Sequence, residues 1–156
     1  MVTFEQELSL ILDKENELLA GLEECSRQKT DVLVKGNIDA LRLILGREQP
    51  LAIQIKAAEE NRLEMMRKHR IENITLSEAA AKAEGPYRQV LLSQLYALSE
   101  ITRKIKKRNK LNNELTRSRI EFYGKLRSVF SKPMYGRNGL TMDASKNSIA
   151  MIDRKV

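Results

Sequence analysis

Apolar side chains recur along residues 3–34 at Phe4, Leu8, Ile11, Leu18, Leu22, Cys25 and Val32, alternately four and three positions apart, with Leu12 and Leu19 broadening the stripe. This is the 3.5–3.6 period of an amphipathic helix packed on a partner helix. Glu15 and Lys29 interrupt it. Thr3 is the expected N-cap, with Gln6 three residues on completing a capping box. Lys35-Gly36-Asn37 breaks the pattern, because Gly and Asn tolerate the left-handed conformation that ends helices. Asn37 or Asp39 then caps a second helix.

The second helix is expected from about Ile38 to about Ile71, with a stripe of Leu41, Ile44, Leu51, Ile55, Ala58 and Met65. Pro50, with Gly46 close by, predicts a bend near residues 46–50 or a break there, since proline removes a helical hydrogen bond. Two helices of roughly 30 residues joined by a short turn make an antiparallel hairpin about 45 Å long. A polar link at residues 73–77 leads into a short helical stretch, SEAAAKAE, starting at Ser77 and ended by Gly85-Pro86. Pro86 opens a last long helix, as proline does at a first helical turn. That helix, about residues 86–131, carries Tyr87, Val90, Leu91, Leu95, Leu98, Ile101, Ile105, Leu111, Leu115, Phe122, Leu126 and Val129. It would reach roughly 68 Å, longer than the hairpin, so one end projects or pairs with another subunit. Lys132-Pro133 ends it. The expected fold is all-α, an elongated antiparallel helical hairpin or bundle of three long helices plus a short one. Residues 1–132 form the bundle, and residues 133–156 form a flexible tail that is able to order on contact with a partner.

Composition agrees with an elongated bundle. The chain has 156 residues, 42% apolar and 31% charged, with aromatics at 4% and no Trp. The single Cys25 precludes an intrachain disulfide and points to a cytoplasmic setting. The acidic, amphipathic start MVTFEQELSLILDKENELL does not read as a signal peptide. No run approaches the roughly 20 apolar residues of a spanning helix. The net charge of +7 is unevenly distributed: −5 over residues 1–33, +1 over 34–100, +9 over 101–132 and +2 over 133–156. An acidic first helix and a basic last helix attract each other if they lie side by side, and the basic segment otherwise suits an anionic partner or a solvated face.

Candidate chemistry is sparse. His69 is the only histidine, flanked by Lys68 and Arg70, and reads as an exposed helix-end residue with no partners for a base or a metal site. Cys25 lies on the apolar stripe and reads as a small hydrophobe. The adjacent pairs Glu23-Glu24 and Glu59-Glu60 point about 100° apart on a helix and form no acid/base pair. Residues 135–139 (YGRNG) lack the Lys-Ser/Thr of a phosphate loop. No catalytic residue, cofactor or metal is expected. The run 103–110 (RKIKKRNK) could neutralise phosphates without sequence preference, but it lacks the interleaved aromatics of a stacking platform. Met65, Met66, Met134, Met142 and Met151 are adaptable side chains suited to covering varied helices, with core filling the alternative for Met65 and Met66 and no role for the other three.

Four stretches carry a resemblance. Residues 110–122 (KLNNELTRSRIEF) place an Asn and a Leu ahead of a polar segment and an aromatic, as at the end of the last helix of FlgN-type flagellar chaperones. Tyr135 to Gly139 is similar to that family's Tyr-x-x-x-Gly turn. Residues 148–156 (SIAMIDRKV) resemble its terminal Ile-Asp-x-Lys ending. Residues 34–41 (VKGNIDAL) look like its turn between the first two helices. The resemblance implies a cytoplasmic chaperone that binds the C-terminal helices of hook–filament junction (hook-associated) proteins. Such a chaperone prevents their premature assembly and delivers them to the flagellar type III export apparatus. It implies client binding by the C-terminal portion, here Leu111, Asn112, Leu115 and Phe122 on the helix and Tyr135, Gly139, Leu140, Ile149, Met151 and Ile152 in the tail. A structural coiled-coil adaptor, self-associating as a homo-oligomer, and a nucleic-acid binder using Arg103 to Lys110 are the alternatives.

Overall fold

The computed structural model describes residues 1–131, which form four helices and, among these residues, no strand. They are α1 (Phe4–Lys35), α2 (Ile38–Lys68), α3 (Leu76–Lys82) and α4 (Pro86–Phe130). Local sequence sets nearly every boundary. Thr3 and Gln6 form the expected capping box on α1. Gly36 ends α1 in the left-handed region at φ 71°, and Asn37, rather than Asp39, caps α2 by accepting from the Ala40 N–H. Pro86 occupies the first turn of α4. Two expectations need correction. The short helix starts at Leu76, not Ser77, because Thr75 and Glu78 make a second capping box. Helix α2 is also not split at Pro50 but runs unbroken through it. Gly46 and Pro50 both face solvent, so the missing helical bond falls on the outer side, while Ile44 and Leu51 on the inner face stay packed.

Helix α1 is the shared partner, lying along both α2 and α4, with α3 packed on α4. Its contact with α2 is antiparallel. Glu7 meets Lys68 and His69, Glu15 meets Arg62, and Lys29 meets Glu48. Gly21 lets the helices close, since a Cβ there would sit 3.3 Å from Leu51 Cδ2. Its contact with α4 is parallel. Gln6 donates to Tyr87, Ser26 to Asn109 and Thr30 to Asn112, so both helices advance in the same direction. The expected attraction between acidic α1 and basic α4 does accompany side-by-side packing. Yet only one ion pair joins them among the described residues, Arg108 to Glu23 at 3.7 Å.

The core is concentrated at one end. Leu8, Leu12, Met65, Met66, Ala79, Ala80, Ala83 and Leu91 form one buried cluster, flanked by Phe4, Ile11, Ile71, Ile74, Leu76, Leu95 and Leu98. It gathers the start of α1, the end of α2, all of α3 and the start of α4. His69 belongs to this end and is not the exposed residue expected. It caps α2, its Nε2 lies 3.0 Å from a Glu7 carboxylate oxygen, and its ring meets Phe4 edge-on at 5.3 Å.

Candidate functional site

The far end of the rod has a different chemistry. Two interlocking rows of α4 residues, spaced by four and three, form the seam toward α1. They run Leu91, Leu95, Leu98, Thr102, Ile105, Asn109, Asn112, Thr116 and Arg119. The seam begins apolar and turns polar. Asn112 is only 3% exposed, donates to the Ser26 carbonyl at 3.0 Å and accepts from Thr30 Oγ1 at 2.6 Å. Ser26, itself buried, donates to Asn109. Arg119 closes the seam by donating Nε to the Leu33 carbonyl at 2.9 Å and its guanidinium Nη2 to the Val34 carbonyl. These are among the last carbonyls of α1, where the helix end attracts a cation; the Leu33 carbonyl also accepts from the Gly36 N–H at 3.3 Å.

Among the described residues the seam then continues without a partner. Helix α1 ends at Lys35, opposite Arg119, whereas α4 runs on for eleven more residues, roughly 16 Å. In the same four-and-three alternation the next positions are Tyr123, Leu126 and Phe130. All three are exposed, Phe130 by 80%, and Ile120, Phe122 and Val129 broaden the face. Phe122 and Tyr123 meet edge to face with ring centroids 5.8 Å apart. Where the overhang leaves the bundle, Leu33, Val34, Leu115, Ser118, Arg119 and Phe122 line an open cleft of about 330 Å³. The overhang continues the coiled-coil seam with no second helix opposite it among the described residues.

The expected binding residues on α4 therefore separate. Leu115 and Phe122 share the cleft and Leu111 is 43% exposed, but Asn112 points inward and holds α4 to α1. Tyr135, Gly139, Leu140, Ile149, Met151 and Ile152 lie outside the described residues. Sequence reasoning did not single out Tyr123 and Phe130. Their signal was the four-and-three spacing carried past Arg119, which is visible only once Asn109, Asn112 and Thr116 are recognised as seam positions. Cys25 is buried as expected, and burial pushes its thiol upward from the usual range, which suits a packing role. Among the described residues no group of three His, Cys, Asp or Glu side chains could hold a metal ion, and no helix is long and apolar enough to cross a membrane.

The FlgN protein family matches residues 1–141. A relative in Bacillus subtilis (strain 168), the uncharacterized protein YvyG, is 34% identical over 100 residues, which is 62% of each chain. The present chain thus spans less than two thirds of that relative's length. No solved structure matches.

Proposed function

The chain belongs to the FlgN family of flagellar export chaperones, and from that premise we propose that it binds the C-terminal helices of hook-associated junction proteins on the α4 overhang. It keeps these clients from assembling early in the cytoplasm and delivers them to the export apparatus. The observation that carries this reading is the exposed row Tyr123, Leu126 and Phe130, in line with the α1–α4 seam and without a partner among the described residues. A filament-type client exposes an apolar helical stripe until it polymerises, and such a stripe aggregates when free. Laid on the overhang, the client helix takes the place that α1 vacates, a helix-in-groove mode read by anchors at three- and four-residue spacing. The cleft at Leu33, Val34, Leu115 and Phe122 accepts the end of that helix. Residues 133–156, with Tyr135, Gly139, Leu140, Ile149, Met151 and Ile152, complete the grip. No covalent step is involved.

Calorimetry with the C-terminal helical segment of a hook-associated protein tests this. Replacing both Leu126 and Phe130 by Ala is expected to weaken binding at least about tenfold, since central apolar anchors carry on the order of 2 kcal/mol each. Deleting residues 133–156 is expected to leave helicity intact and abolish binding. Wild-type affinity in both variants would refute the reading. The exposed overhang also favours a second reading, a self-associating rod. It requires a mass that grows with concentration in sedimentation, whereas a chaperone forms a closed complex of fixed stoichiometry.

A further inference from the structure

One straight row on the outer side of α4 is almost entirely charged. Arg103, Lys107, Lys110, Glu114, Arg117, Glu121 and Lys125 follow one another by four and three residues, so they lie along a single line of the helix for roughly 33 Å. All seven are exposed, and Lys106 stands beside them, also exposed. Within the helix Arg103 is tied to Glu100 at 2.9 Å, but Lys106, Lys107, Lys110, Arg117 and Lys125 form no ion pair among the described residues. The acidic helix α1, which would neutralise them, is on the other side of α4, where it takes up only Arg108 of the basic run. The row is therefore a net positive field that the fold leaves uncompensated.

We propose that this outer face of α4 is a second docking surface, built for an acidic helix of another protein and usable while the overhang is occupied. Two features select that partner class. First, Glu114 and Glu121 sit inside the row, so its charges read plus, plus, plus, minus, plus, minus, plus. A polyphosphate or an anionic bilayer presents uniform negative charge and is repelled at those two positions. A protein helix with Glu or Asp opposite the cations and Lys or Arg opposite Glu114 and Glu121 is matched at every one. Second, the cations lie opposite the apolar seam. A membrane-surface helix needs its basic residues flanking the apolar face so that both reach the lipid together, and here engaging one face turns the other away. The row contains no aromatic side chain on which bases would stack. Because the two faces of α4 are back to back, an occupant of the overhang and an acidic helix do not compete for space. The inference stands on the charge row and does not depend on which client fills the overhang.

The test uses the full chain and a synthetic helical peptide of about 22 residues, long enough to span the row, carrying the complementary mixed pattern. Comparison probes are the same peptide with Glu at every charged position, a short DNA duplex, and phosphatidylserine-containing vesicles. In calorimetry at about 150 mM salt, the patterned peptide is expected to bind more tightly than all three others, and to weaken as salt rises. The variant Lys106→Glu, Lys107→Glu, Lys110→Glu, Arg117→Glu is expected to lose at least about tenfold in affinity. Circular dichroism should show it folded, since these side chains are exposed. The variant Leu126→Ala with Phe130→Ala should bind the peptide as the wild type does, which separates this surface from the overhang. An all-Glu peptide, duplex or vesicle binding as well as or better than the patterned peptide would overturn the proposal. So would a charge-reversed chain with undiminished affinity.

Discussion

Glu15 and Lys29 occupy seam positions where a helical hairpin ordinarily places leucine. Each is buried and each meets one opposite charge on α2: Glu15 pairs with Arg62 at 2.8 Å and Lys29 with Glu48 at 2.6 Å. Replacing a buried pair by apolar residues is often neutral, but removing one member strands the other and costs about 3–5 kcal/mol. Glu15→Ala should therefore lower urea-measured stability by a few kcal/mol, and Glu15→Arg combined with Arg62→Glu should recover most of the loss. Arg119 acts by another route, covering the last carbonyls of α1; Arg119→Ala is expected to cost about 1–2 kcal/mol by the same assay. Several carboxylates are held below their ordinary range. The Glu24 group is drawn down to about 2 by Arg27 and then Gln28. The Glu7 group is lowered chiefly by its hydrogen bond to His69, with Lys68 adding to it. A depressed folded-state value means the stabilisation is present above the ordinary carboxylate value near 4.5 and lost as pH falls through the folded one. Thermal melts should show stability decreasing below about pH 4.5, with the Glu7→Gln variant responding less steeply.

At the scale of helices, the sequence disclosed the elements far better than their pairing. The capping boxes, the Gly36 stop and Pro86 are local signals and placed the helix ends within a few residues. Glu15 and Lys29 looked like interruptions because a single helix does not reveal what faces it. Their meaning appears only with α2, where Glu48 and Arg62 are separated by the same fourteen positions as Glu15 and Lys29. Run antiparallel, the two helices oppose unlike charges; run parallel with those positions aligned, they would oppose like charges. The pairs thus specify direction and register. In the same way, an apolar stripe read along α4 passes over Asn109, Asn112 and Thr116, which are seam residues of a polar interface. Asn112, which the resemblance placed among the client-binding residues, is buried against α1. Asn112→Ala should cost about 1–3 kcal/mol by leaving buried partners unsatisfied. The loss would be measured by urea unfolding.

For the whole molecule, packing is graded along the rod. The largest buried apolar cluster lies near Leu8, Leu12, Met66 and Leu91, and toward the opposite end fewer buried apolar residues, such as Leu33 and Ile44, are joined by hydrogen bonds, the Lys29–Glu48 pair and Arg119. Regions with few buried apolar contacts open with the least free energy. Amide hydrogen exchange should therefore be slowest around Leu91 to Leu98, faster from Asn109 to Arg119 and fastest beyond Ile120. A uniform protection pattern would contradict this. The gradient places the firm end of the protein away from the surface proposed to receive and release clients.

The parallel course of α1 and α4 has a further consequence. Partners across that seam are some eighty residues apart in the chain, as Gln6 is from Tyr87, whereas the α1–α2 hairpin closes through a tight turn at Gly36 and Asn37. Near-neighbour contacts form first and distant ones last. The hairpin is therefore expected to close before α4 docks, leaving one side of α1 bare until then. At high refolding concentration the α4 of a neighbouring molecule can reach that side first, producing exchanged dimers. Their yield should climb with protein concentration during refolding and stay constant once folding is complete.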